Sequence, residues 1–210
     1  MKPYQVPLEE TRREILVINS RFIATLAPVF TVDEARAFVR RVREEFPGAS
    51  HNVPAYLIGH GDSVIAHSSD DGEPSGTAGR PALAVLQGSG LGDAAVVVTR
   101  YFGGNKLGTG GLVRAYGDSV RAVIESARRG QRIAVHTVMF DLPYRLLERV
   151  RLLAAAHQGE ILGEDFAVEV TLTARFAVER LDAFQLALAD LSNGAVQAEI
   201  IETKEMIVPV

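Results

Sequence analysis

The segment Arg100-Tyr101-Phe102-Gly103-Gly104-Asn105-Lys106-Leu107-Gly108-Thr109-Gly110-Gly111 holds five glycines in twelve residues and runs into an amphipathic stretch. Glycine reaches positive φ without strain and lets a ligand approach the backbone, so such a loop can aim several N–H groups at one point. At a helix start those donors are joined by about half a positive charge from the macrodipole. Arg100, Lys106 and Arg114 would surround that point with whole charges, with Gly108 and Gly110 among the loop's binding residues and Tyr101 as an aromatic contact. The chemistry suggested is anion binding. The same glycines also suit a tight strand-to-helix turn packed on a neighbour, and both readings stay open. Two nucleotide motifs are excluded. A Walker loop needs a hydroxyl residue after its lysine, where Leu107 follows Lys106; a dinucleotide loop needs a third glycine, where Val113 stands.

Asp70, Asp71 and Glu73 form the tight acidic group of the first part of the chain, and Arg80 follows in the same irregular stretch. Three carboxylates in four residues could hold a divalent cation or act as acid and base. Pairing with Arg80 or Arg100 is the simpler outcome, because like charges left unpaired repel one another. It predicts that the acidic loop and the glycine loop meet in space. His51, His60 and His67 lie nine and seven residues apart, unlike the i, i+4 histidines of zinc hydrolases, so no metal is assigned and only His51 is retained as a binding residue. Ser75 or Ser119 could be written into a hydrolytic triad with His51 or His67, but no G-x-S-x-G elbow exposes a serine.

The elements that must position these groups are legible in the hydrophobic pattern. Ile15 to Ile18 and Phe22 to Leu26 read as strands around Asn19-Ser20, and Thr31 with Glu34 forms a capping box for a helix ending at Pro47-Gly48. Ala55 to Ile58 and Val64 to Ala66 read as a hairpin around Gly59-His60-Gly61-Asp62. Residues 68–81 form a loop into a short helix, Ala94 to Thr99 is a buried strand, and a helix runs from Leu112 to Arg128. Gly130-Gln131-Arg132 then reads as an exposed connection. Beyond it come strand 132–142, helix 144–157, strands 159–163 and 166–174 joined at Glu164-Asp165, helix 178–192 and strand 196–208. That βαββαβ order is ferredoxin-like. The boundaries are 1–131 and 132–210.

His51-Asn52, Ala55 to Gly59, Asp70 to Pro81, and Val97 to Gly104 with Lys106-Leu107-Gly108 and Gly110 to Tyr116 together resemble the signature of the Impact/YigZ family. The resemblance covers roughly residues 20–125, and the rest is similar to the small domain that bacterial members append. It implies an α+β protein: a first domain with a ribosomal-protein-S-five-like fold and a ferredoxin-like second domain resembling one of the translocation elongation factor. No established reaction comes with it. Eukaryotic relatives are implicated in regulating translation by competing for an activator of a translation-factor kinase. The sequence departs from the family pattern at Val53, in the place of a Cys, which argues against thiol chemistry, and at Asn105, in the place of an aliphatic residue.

Composition narrows the partners. The 210 residues are 47% apolar and 23% charged, with no Cys, so disulfide scaffolds, thiol nucleophiles and thiolate metal sites are excluded. No apolar run approaches the ~20 residues of a membrane span and no signal peptide is evident, which gives a cytoplasmic protein without a membrane partner. Residues 1–130 carry a balance of +1 and residues 131–210 one of −5. A broad cationic face for duplex DNA is therefore not expected, whereas a local basic pocket is compatible. The expectation is a translation-associated binding or regulatory protein, without cofactor, that contacts RNA, the ribosome or a translation-regulating protein. Its site would comprise His51, Asp70, Asp71, Glu73, Arg80, Arg100, Tyr101, Lys106, Gly108, Gly110 and Arg114. The alternative is an enzyme of hydrolase or phosphotransfer type acting on a phosphorylated or peptide substrate in the same pocket. Oligomeric state is not legible.

Overall fold

A computed structural model describes residues 4–60 and 64–210. The chain forms two compact units, Met1–Arg132 with Ile207–Val210, and Ile133–Met206. The first contains β1 (Gln5–Pro7), β2 (Thr11–Val17), β3 (Ser20–Pro28), α1 (Val32–Glu45), β4 (His51–Ile58), β5 (Ile65–Ser68), α2 (Gly79–Gly88), β6 (Ala94–Tyr101) and α3 (Gly108–Ser126). Five strands make an antiparallel sheet in the order β2-β3-β6-β4-β5. β6 is central because Ala94 to Val98 is apolar on both sides, and every one of those residues is fully buried. Strand alternation divides the core between two faces. Ala94, Val96 and Val98 join Phe22, Leu86 and Tyr116 in the layer of α2 and α3, whereas Ala95 and Val97 join Phe38, Val42 and Tyr56 under α1.

Thr31 caps α1, its hydroxyl accepting the Glu34 N–H at 3.1 Å. The Glu34 carboxylate reaches back one residue further than a capping box requires and accepts the Phe30 N–H at 2.8 Å.

The second unit holds most of β7 (Arg129–Leu142), a 3-10 turn (Tyr144–Leu146), α4 (Leu147–Ala156), β8 (Glu160–Phe166), β9 (Val170–Ala177), α5 (Val178–Ser192) and most of β10 (Glu199–Pro209). Its strand order, β10-β7-β9-β8, is ferredoxin-like. Val138, Phe140, Leu172 and Phe176 line one sheet face and pack with Val150 of α4 and Phe184 of α5. The molecule is thus a two-domain α+β protein. Among the described residues no helix is long and apolar enough to cross a membrane.

Four expectations about elements are corrected. α3 begins at Gly108, not Leu112, so the last three glycines of the rich segment lie in a helix turn and not in a loop. The exposed connection at Gly130 does not exist. Gly130 is buried within β7 and faces Val6 in the β1 ladder, and a Cβ there would stand 2.5 Å from Ile207 Cγ2. Residues 207–210 belong to the first unit. β8 and β9 turn at 167–169 and not at Glu164-Asp165: the register that opens at Glu160 opposite Arg175 carries the ladder, past a one-residue shift between Ile161 and Gly163, on to Phe166 opposite Val170. The β4–β5 loop expected at Gly59 to Asp62 lies partly outside the described residues.

Candidate functional site

Sheet register assembles the site. On β6, Arg100 faces Phe22 of β3 on one side and His51 of β4 on the other. The stretch between β5 and α2 returns over them and delivers Glu73, whose side chain is only 3% exposed. Its Oε1 accepts from Arg100 Nη1 at 2.6 Å and from the Tyr116 hydroxyl at 2.7 Å, while Oε2 lies 3.8 Å from His51 Nε2. Arg100 is buried as well. Its Nη2 reaches Ser20 Oγ at 3.4 Å, and its guanidinium lies over the rings of Phe22 and Phe102 at 5.3 and 5.5 Å. Burial, followed by the Glu73 hydrogen bond, pushes the Tyr116 phenol far above its ordinary range and keeps it a donor.

Asp70 and Asp71 serve the loop. Asp70 Oδ1 accepts the N–H groups of Ala78 and Gly79 at 3.0 and 2.8 Å, and Oδ2 accepts that of Gly76 at 2.7 Å. It therefore caps α2 from a distance, because the residue at the cap position, Ala78, has no side-chain acceptor. Burial alone would raise its pKa, but the N–H groups of Gly76, Gly79 and Ala78 and the charge of Arg80 outweigh it and hold the carboxyl below its usual range. Asp71 takes φ +47°. It pairs with Arg43 of α1 and accepts the Asn52 N–H at 2.6 Å. Its carbonyl oxygen is 2.8 Å from His51 Nδ1. A carbonyl only accepts, so the proton sits on Nδ1.

The acidic and glycine-rich stretches thus meet, through Glu73 and Arg100. One expected role changes in consequence: Arg100 is not an open charge for an anion, since it is buried and neutralised by Glu73. The glycines also divide. A Cβ at Gly103 would lie 1.9 Å from the Asn19 carbonyl oxygen, so this glycine exists for the close approach of the β2–β3 turn. Gly104 and Gly108 have φ of +86° and +71°. Gly110 is helical, exposed and has nothing within 4 Å of a Cβ, and no packing explains it. Lys106 and Arg114 are exposed, with no ion pair or hydrogen bond among the described residues. Arg80 is exposed near Asp70, Tyr101 is half-buried beneath the Arg21 guanidinium at 5.6 Å, and Phe102 is 48% exposed.

Sequence reasoning missed Tyr116, Ser20, Asn52 and Arg43 as members of this network. In the sequence Tyr116 is one more apolar position of α3, and nothing local marks its hydroxyl as the partner of an acid 43 residues away. The histidines separate: His51 joins the cluster, while His60 stacks on Tyr4 and His67 on Tyr56. Among the described residues no group of three or more His, Asp or Glu could hold a metal ion.

Comparison with known proteins gives matches over nearly the whole chain. A family model described as the Impact N-terminal domain matches residues 18–124, and one for a domain of unknown function, DUF1949, matches residues 140–195. An IMPACT family member from Haemophilus influenzae is 37% identical over 206 residues, which span 98% of this chain and all of that one. The IMPACT family member YigZ of Escherichia coli is 40% identical over 185 residues, spanning 88% of this chain and 91% of that one. A crystal structure of a hypothetical protein superposes with a TM-score of 0.63 at 37% identity, covering 96% of this chain and 98% of the other.

Proposed function

The chain belongs to the IMPACT family, and on that premise we propose that it is a cytoplasmic regulatory protein that binds a component of the translation machinery through the surface at the start of α3. One observation carries this reading beyond the family: each carboxylate of the cluster is committed to partners within the protein, while the surface beside them is left open. Glu73 holds Arg100 and Tyr116, Asp70 holds α2, and Asp71 holds Arg43 and β4. A general base or a metal site needs free lone pairs, and among the described residues Glu73 Oε2, 3.8 Å from His51 Nε2, is the one carboxylate oxygen of the three without a hydrogen bond. The network reads instead as a rigid support for a contact surface of Lys106, Gly110 and Arg114, with half-exposed Phe102 beside it. Gly110 and Arg114, four residues apart, share one helix face.

Co-sedimentation with ribosomes across a salt series tests the reading. If ribosomal RNA is the contact, binding falls with salt with a slope set by about two neutralised phosphates and drops in Lys106→Ala, Arg114→Ala. A protein contact gives a shallower salt dependence and its largest loss at Phe102→Ala. Absence of binding at low salt by the unaltered protein would remove the ribosome as partner.

A further inference from the structure

The sheet face opposite the glycine-rich surface carries a second concentration of positive charge. Arg36, Arg40 and Arg43 follow one another at i, i+4 and i+7 along α1, and they border a cleft of about 230 Å³ with Tyr56 of β4 and His67 of β5. Tyr56 and His67 are direct partners on the antiparallel ladder, with ring centroids 5.0 Å apart and planes 30° from parallel. Tyr56 is buried and His67 exposed, so the imidazole is a flat platform backed by the phenol with its outer face open.

The arginines are poorly compensated. Among the described residues no carboxylate lines the cleft. Among the described residues Arg36 meets only Asp33, at 3.6 Å, with both side chains mostly exposed, an arrangement that neutralises little. Arg43 shares its charge with Asp71. Arg40 has no ion pair or hydrogen bond among the described residues. In a chain of net charge −4, three guanidinium groups beside an open aromatic stack do not follow from the overall balance.

We propose that this cleft binds one nucleotide of a single-stranded nucleic acid, with Arg36 and Arg40 on its phosphates and the base stacked on His67. Guanidinium forks suit phosphate oxygens, and flat rings stack on an aromatic platform whatever their sequence. Two dimensions favour a strand over a free nucleotide. The row from Arg36 to Arg43 extends about 10 Å along the helix, more than one phosphate uses. The cleft is also smaller than the roughly 300–1,000 Å³ that encloses a whole small ligand, so it accepts a single unit with the chain leaving on either side. The site is separate from the α3 surface, and the proposal does not depend on it.

The test is fluorescence anisotropy of a labelled oligouridylate with the full chain at low salt. Arg36→Ala, Arg40→Ala should weaken binding by about tenfold or more relative to Arg149→Ala, Arg180→Ala, which removes the same charge from exposed positions of the second unit. His67→Ala should weaken it by roughly fivefold or more, and uridine monophosphate should compete only at far higher concentration than the unlabelled strand. All these side chains but Tyr56 are exposed, so the variants fold, and far-UV circular dichroism verifies it. Equal binding by the Arg36/Arg40 and Arg149/Arg180 variants would overturn the proposal. So would competition by inorganic phosphate as effective as that of the mononucleotide, or by the mononucleotide as effective as that of the strand. Loss confined to Lys106→Ala, Arg114→Ala would place the strand at α3 and overturn it as well.

Discussion

Glu73→Ala is the substitution that examines the network most directly. The Glu73 and Arg100 side chains are 3% and 6% exposed, and their 2.6 Å contact is backed by the Tyr116 hydroxyl at 2.7 Å. Removing the carboxylate leaves a guanidinium buried between two aromatic rings and a phenol without its acceptor. Breaking a buried pair from one side costs about 3–5 kcal/mol, far above the ~0–1 kcal/mol of a surface pair. Arg100→Met keeps an unbranched apolar side chain beside Phe22 and Phe102 and strands the acid instead, so its cost should be similar. The double variant has no stranded charge. Its loss should fall short of the sum of the two single losses by at least ~2 kcal/mol, near the upper end of coupling energies between contacting residues. Tyr116→Phe alone should cost about 1 kcal/mol. Urea denaturation followed by far-UV circular dichroism, fitted with one transition or two according to whether the units unfold together, gives all four values. A loss below about 1 kcal/mol for Glu73→Ala, or additivity of the two single substitutions, would mean that the pair is hydrated in solution.

Asp70 gives a pH prediction. Its pKa in the folded chain lies below the ordinary 3.8, so its contribution is complete above that value and is lost as pH falls through the lower, folded one. Asp70→Asn should therefore cost about 0.5–2 kcal/mol near neutrality, and the gap from the unaltered protein should close in acid below about pH 4, as read by urea midpoints. The glycines separate by sign. Gly103→Ala should destabilise through the Asn19 clash, whereas Gly110→Ala should raise stability by up to about 1 kcal/mol in thermal melts while weakening ribosome co-sedimentation. Limited proteolysis should spare residues 129–131, because the buried Gly130 and its neighbours are held in the β1 ladder.

The fold was legible where a pattern is local. Thr31 and Glu34 gave the start of α1, the run Ala94 to Val98 gave the central strand, and the alternation after Gly130 gave the ferredoxin-like unit. What escaped depends on contacts distant in sequence. Gly130 reads as a breaker, yet its lack of a side chain lets Ile207 and Val208 pack against β7, which no nearby residue announces. The encounter of Glu73 with Arg100 followed from counting charges: three carboxylates need cations. That count could not distinguish an exposed pair from a buried one, and so Arg100 was expected to face a ligand. Burial is set by Phe22 of β3, Tyr116 of α3 and Phe102 of the loop after β6 closing around it, and these come from three separate parts of the chain.

Residues 207–210 complete the unit that begins the chain, although the whole of the second unit lies between them and Arg132. A ribosome therefore cannot release a finished first unit and then build the second. The β2-β3-β6-β4-β5 sheet can close once α3 has emerged, but the packing of Ile207 and Val208 over Gly130 must wait until all of residues 133–206 have been made. During that interval Gly130 and its neighbours on β7 lack their final cover. The order of synthesis thus makes the time taken to build residues 133–206 a determinant of how long the first unit stays incomplete.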